Sequence, residues 1–155
     1  MPMPSETPAS AECLALVKRF EGCRLEAYLP TPTDCPTIGW GATRDELGAP
    51  VRLGQRWSQA RADMRIAADL QGVADRLRTL LGAAPTTASQ FDALAAIAYN
   101  VGIGAIARST LLALHLKGSF AAAAAQFARW NRQGAVVLPG LTRRRAAEAA
   151  LYRRA

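Results

Sequence analysis

The chain has 155 residues, 50 % of them hydrophobic, the size of one ordinary domain with its own core. Nineteen lysines and arginines against twelve acids give a formal charge of +7, which favours polyanions such as nucleic acid, acidic membranes or anionic cell-wall polymers without choosing among them. His115 is the single histidine, and Cys13, Cys23 and Cys35 form no Cys-x-x-Cys pair, so no metal site and no cofactor is expected, and the cysteines read as free thiols made in a reducing compartment.

Residues 1–10, MPMPSETPAS, are polar and rich in Pro and Ser and read as a flexible leader. They lack the basic start and apolar core of a signal peptide. No apolar run approaches the roughly 20 residues of a membrane span. The expectation is a chain made in the cytoplasm, without stable membrane insertion. From Ala11 to Glu21, Cys13, Leu14, Val17 and Phe20 recur at a helical period, with Ser10 as N-cap and Gly22 as stop. Glu21 follows Leu14 by seven residues and Val17 by four, which puts its carboxylate on the apolar face of that helix.

Prolines at 30, 32 and 36 and glycines at 39 and 41 exclude helix over 24–43. RLEAYL and PTIGW read as two short strands about a turn, and 44–57 as loop. Ser58 caps a long helix to about Leu81, with Ala60, Met64, Ala67, Leu70, Val73, Leu77 and Leu80 three or four apart and Gly72 inside it. Thr87 and Gln90 form a capping box for FDALAAIAY, which is apolar nearly all round and should be a buried centre. Ser109 and Ser119 start two more helices, and LTRRRAAEAALY makes a last one after Pro139-Gly140. The fold class expected is α+β, mainly helical. A single domain over 11–155 would hold a small β lobe at about 24–57. A larger helical lobe would span about 58–155 with helix 11–22, joined to the β lobe by the long helix.

A cleft between lobes is a natural polymer site. Glu21, buried at a helix end, would hold its proton more tightly than an exposed carboxyl and so serve as a general acid; the other reading is a buried Glu that pairs with an arginine. Glycosidic hydrolysis uses two carboxylates. Glu26, inside a strand pattern, reads as a solvated residue. Asp34, in the proline turn, either faces the cleft or bonds its own backbone. Gly39 and Gly41 would bare one strand face for close approach of backbone or ligand. Thr37 could place a hydroxyl near a water, and Trp40 either stacks on a sugar or packs in the core.

These residues, EGCRLEAY followed by PTIGWG, then QFDALAAIAYNVG, then RW and LPGLTRRRAAEAALY, resemble the phage-type lysozymes (endolysins of glycoside hydrolase family 24) over roughly 11–153. The resemblance implies a lysozyme-like fold and a muramidase cutting the β-1,4 bond between N-acetylmuramic acid and N-acetylglucosamine in peptidoglycan. It implies a Glu–Asp–Thr trio with Glu21 and Thr37 in the matching positions. The family's aspartate position, two residues after Tyr28, holds Pro30, and Asp34 is the only acid left in a loop one residue longer. Arg144 or Arg145 resembles the arginine that pairs with the catalytic glutamate, and Tyr99 and Asn100 the stretch lining the helical side of the cleft. A monomer released to the cell wall through a holin is the implied setting. A lytic transglycosylase, which needs no second carboxylate, is the alternative on the same bond. A non-catalytic wall- or nucleic-acid-binding module built on Arg129, Trp130, Arg132 and Arg143 to Arg145 is the alternative of another class. Those arginines read instead as a solvated helix face plus one ion pair, with no nucleic-acid partner.

Overall fold

The computed structural model of the chain describes residues 9–154. The expected leader lies outside them up to residue 8; Ala9 and Ser10 are hydrogen-bonded, the Ala9 N–H to Gln71 Oε1 (2.9 Å) and the Ser10 hydroxyl to Asp92 Oδ2 (2.6 Å). The fold is α+β and mainly helical, as expected. The described residues divide into two compact units: Leu14–Asp69, and residues 9–13 joined to 70–154.

Helix α1 covers Ala11–Glu21. Ser10 caps it, its hydroxyl accepting the Cys13 N–H (3.0 Å), and Gly22 ends it at φ +69°, a left-handed conformation that glycine adopts without strain. In the 14–69 unit, strands β1 (Arg24–Tyr28) and β2 (Thr37–Gly39) pair antiparallel, Arg24 opposite Gly39 and Tyr28 opposite Thr37. Four steps on one strand match two on the other, so the ladder carries a bulge. The loop that follows is not free of pairing: the Ala27 N–H donates to Gln55 O (2.9 Å) and the Trp57 N–H to Leu25 O (2.8 Å), which makes 55–57 an irregular third edge. Ala27, Ile38, Val51, Trp57 and Ala62 form the core of this unit.

Strand β2 stops at Gly39, where PTIGW had been expected to continue through Trp40. Gly39 (φ +64°) and Gly41 (φ +103°) both take left-handed backbone, and the Ile38 N–H and Ala42 N–H exchange bonds across the turn at 2.9 Å each. The two glycines therefore do not bare one face of a strand. Gly39 clears space for the Trp57 ring, 3.2 Å from where a Cβ would stand.

Helix α2 (Gln59–Leu81) starts where expected, with the Arg61 N–H on the Ser58 hydroxyl (3.1 Å). Its buried stripe is Ala62, Ile66, Leu70, Ala74, Leu77 and Leu81, while Met64 stands 74 % exposed. The expected stripe and the observed one share Leu70 and Leu77, and both step by three or four residues. Periodicity indicates that a helix has an apolar face and not which side of it packs, and here tertiary contacts choose the side carrying Ile66 and Leu81.

In the other unit, helix α3 (Ala88–Val101) has the full capping box: Thr87 Oγ1 accepts the Gln90 N–H (3.1 Å) and Gln90 Oε1 accepts the Thr87 N–H (2.9 Å). Residues Asp92 to Ala98 are all buried, the expected centre. Helices α4 (Ile103–Ala107), α5 (Thr110–Leu116) and α6 (Phe120–Gln126) follow. Ser109 caps α5 through its side chain; Ser119 precedes α6 without a side-chain bond. A 3₁₀ turn at Phe127–Arg129 leads to a hairpin of β3 (Arg132–Gln133) and β4 (Val136–Val137). Helix α7 (Pro139–Arg153) packs on α3. It begins at Pro139, not after Gly140, because a first-turn residue needs no N–H donor and proline is preset for that position.

Candidate active site

Three of the expected site residues meet in the 14–69 unit. Glu21, Tyr28, Pro30, Asp34, Cys35, Thr37, Gly41 and Thr43 line one open pocket of about 410 Å³. Each arrives by a different local rule. Glu21 is the last residue of α1, delivered by helix phase and half-buried. Thr37 is the first residue of β2, 6 % exposed, and its hydroxyl donates to Cys35 O at 3.0 Å. Asp34 stands exposed in the proline loop, where its N–H closes a turn on Thr31 O (3.1 Å).

Glycine at 41 is a condition of this arrangement. A Cβ there would lie 3.2 Å from Glu21 Oε2, at φ +103°. Any side chain would crowd the carboxylate and strain the backbone together. Pro30, the position where the resemblance places an aspartate, lines the pocket with its ring, and Asp34 reaches the same pocket from four residues further on. Glu26 is exposed and paired with Arg56 at 3.3 Å, as its solvated reading required.

Trp40 is engaged away from this pocket. Its indole N–H donates to Asp63 Oδ1 (2.8 Å), the Lys18 ammonium lies 5.1 Å from its ring centroid, and the ring packs partly on the Ile38–Trp57 core. Core packing, the second of the two readings, describes its surroundings.

Tyr99, Asn100, Arg144 and Arg145 belong to the other unit. Tyr99 is half-buried near the end of α3. Asn100 lines a concavity of about 530 Å³ with Arg129, Trp130, Arg132 and Gln133. Arg144 and Arg145 are buried on α7 and ion-paired, where a solvated face with one ion pair is expected; Arg143 alone of the three arginines is exposed. What makes their burial possible is Glu148, a residue that sequence reasoning passed over. It is 0 % exposed, accepts a hydrogen bond from Arg145 Nη2 on Oε1 (2.8 Å), and forms ion-pair contacts with Arg145 Nε at Oε2 (2.7 Å) and Arg144 Nε at Oε1 (3.5 Å). Burial pushes the Glu148 carboxyl up to about 7, against the opposing pull of Arg145 and Arg144. The signal was present in RRRAAE: an acid three and four residues beyond two arginines on one helix.

All three thiols are free: Cys13 is buried, Cys23 half-buried and Cys35 exposed at the pocket. Among the described residues no group of three His, Cys, Asp or Glu side chains could hold a metal ion, and no helix is long and apolar enough to cross a membrane.

A half-buried carboxyl at a helix end, a threonine hydroxyl and a loop aspartate thus line one open pocket. The family model for phage lysozyme matches residues 18–148. An endolysin of Bacillus phage B103 is 41 % identical over 138 residues, which cover 88 % of this chain and 51 % of that protein. An endolysin of Acyrthosiphon pisum secondary endosymbiont phage 1 is 33 % identical over 151 residues, 92 % of this chain and 96 % of that protein. The solved endolysin of Escherichia coli O157:H7 phage FAHEc1 superposes with a TM-score of 0.86 at 33 % identity, covering 97 % and 96 % of the two chains. The chain belongs to the phage lysozyme family. It spans about half the length of the Bacillus phage relative it matches.

Proposed function

We propose that the protein is a peptidoglycan-lytic endolysin, a muramidase that hydrolyses the β-1,4 bond between N-acetylmuramic acid and N-acetylglucosamine. The observation that carries this reading is the convergence of Glu21, Thr37 and Asp34 on one pocket. Glu21 protonates the leaving glycosidic oxygen. Thr37 has committed its own hydroxyl proton to Cys35 O, so its oxygen can only accept. A water donating one hydrogen to Thr37 Oγ1 and the other to the Asp34 carboxylate keeps a lone pair free for the anomeric carbon. As the water attacks the anomeric carbon from the face opposite the leaving group, the Asp34 carboxylate takes its proton, and the product is inverted. Tyr99 and Asn100 would contact the glycan. The protein works as a monomer, made in the host cytoplasm and reaching the wall through a holin.

The test is a reducing-end assay on purified peptidoglycan with wild type and Glu21→Gln. New reducing ends that vanish in the variant are expected; near-normal release by Glu21→Gln would sink the proposal. Pro30 in the usual aspartate position supports one second reading, a lytic transglycosylase, which needs a single acid. Mass spectrometry of the muropeptides separates the two: 1,6-anhydro ends mark the transglycosylase and reducing ends the hydrolase.

A further inference from the structure

Asp63 belongs to no part of the pocket, yet three donors from three segments converge on one of its oxygens. Trp40 Nε1 reaches Oδ1 at 2.8 Å, Gln59 Nε2 at 2.9 Å and Lys18 Nζ at 3.5 Å. The Trp40 and Gln59 bonds, with Lys18 beside them, hold the Asp63 carboxyl below its ordinary range, so it is an anion at neutral pH. The ion pair adds little stability to this convergence. The Lys18 and Asp63 side chains are 27 % and 41 % exposed, and an exposed ion pair contributes little. A charge-assisted bond from an indole N–H does define geometry.

The segments that meet here also meet at Glu21. Lys18 lies in the last turn of α1, three residues before Glu21, and the Gly22 N–H closes that turn on Lys18 O (3.4 Å). Trp40 directly precedes Gly41, whose absent Cβ would stand 3.2 Å from Glu21 Oε2. The position of the carboxylate therefore depends on how the 39–41 turn stands against the end of α1. Both side chains that tie those two segments end on Asp63, and the Lys18 ammonium over the Trp40 ring closes the triangle. We infer that Asp63 is a positioning residue: through Trp40 and Lys18 it clamps the Gly41 turn to the end of α1 and so sets where the Glu21 carboxyl presents its proton. This inference rests on the reading of Glu21 as the general acid.

Asp63→Ala removes the clamp, and Trp40→Phe removes its indole donor while keeping an aromatic ring in the core. Steady-state rates on soluble, uncrosslinked peptidoglycan are measured together with melting curves and the ¹³C carboxyl resonance of Glu21, assigned by its loss in Glu21→Gln. Each variant is expected to lower kcat about tenfold with KM moved less than about twofold, since misplacing a proton donor spares ground-state binding. Each should also displace the Glu21 resonance, with the double variant no worse than either single one. Wild-type kcat with an unmoved resonance would overturn the inference, as would a loss that appears in KM alone. If Glu21→Gln stays active while Asp63→Ala still displaces the resonance, the acid assignment fails and the clamp stands. If Glu21→Gln is dead and the resonance is unmoved, the clamp fails and the acid stands.

Discussion

The missing side chain of Gly41 leaves the space that the carboxylate of Glu21 needs: a Cβ on the glycine would stand 3.2 Å from Oε2 of the acid. Because Gly41 also sits at φ +103°, Gly41→Ala combines backbone strain of about 1–3 kcal/mol with a direct push on the proposed proton donor. We expect urea denaturation to show that loss of stability, and turnover to fall about tenfold or more even where the variant is fully folded. A folded variant with full turnover would show that Glu21 tolerates displacement.

Thr37 makes a sharper test of the water-holding role. Thr37→Ser keeps a hydroxyl that can donate to Cys35 O, whereas Thr37→Val keeps shape and loses the oxygen. Serine should retain most of kcat and valine should lose about 10²-fold, the scale of a proton-handling group. Asp34→Asn should fall in parallel if Asp34 orients the same water; unchanged turnover would remove Asp34 from the site.

Glu148 holds two buried arginines. Glu148→Ala leaves the 1 % exposed Arg145 without its counter-charge, a change that costs about 3–5 kcal/mol in comparable buried pairs. Its pH signature has a definite sign. The folded carboxyl titrates at about 7 against an ordinary 4.5, so the folded chain binds more protons than the unfolded one between those values. The linked stability is full below pH 4.5 and is lost as pH rises through about 7. Subtracting the Glu148→Gln stability curve from that of wild type should expose this decline.

His115 contributes with the opposite sign. Its Nε2 lies 2.8 Å from Thr86 Oγ1, and that hydroxyl donates to Ala84 O (3.1 Å), so Nε2 carries the proton. Nδ1, 2.6 Å from the Tyr152 hydroxyl, then accepts from it. A second proton would have to displace that bond inside the core, and burial lowers the His115 pKa below 6.5. The unfolded chain takes up the proton first. This part of the stability is present above pH 6.5 and is lost as pH falls toward the folded value. Thermal melts from pH 7.5 to pH 5 should show it, and His115→Gln should flatten that component.

Legibility followed locality. The N-cap at Ser10, the stop at Gly22 and the Thr87–Gln90 box were readable because each is a bond between residues three or four apart. The phase of α2 was not, since two overlapping stripes share one period and only neighbours in space choose between them. The β3–β4 hairpin escaped notice because two residues per strand make no pattern, and Val136 and Val137 remain exposed. At the site, Glu21 and Thr37 were legible from motif and helix phase. In the other unit, the RRRAAE spacing offered the Arg–Glu pairing of Glu148 but not its burial, because a charged stretch looks solvated until the surrounding side chains are known.

By itself the sequence determined the family, the mainly helical α+β class and the residues of the pocket that sit in motifs, since these rest on composition, period and short-range spacing. Tertiary structure alone decided that Asp34 shares a pocket with Glu21 and Thr37 despite Pro30 in the expected position. It decided that Trp40 is held by Asp63, and that the second glycine of TIGWG serves the carboxylate and not a strand face. Each of these is a contact between segments far apart in the chain. Such contacts are set by which surfaces bury together, and no local spacing encodes them.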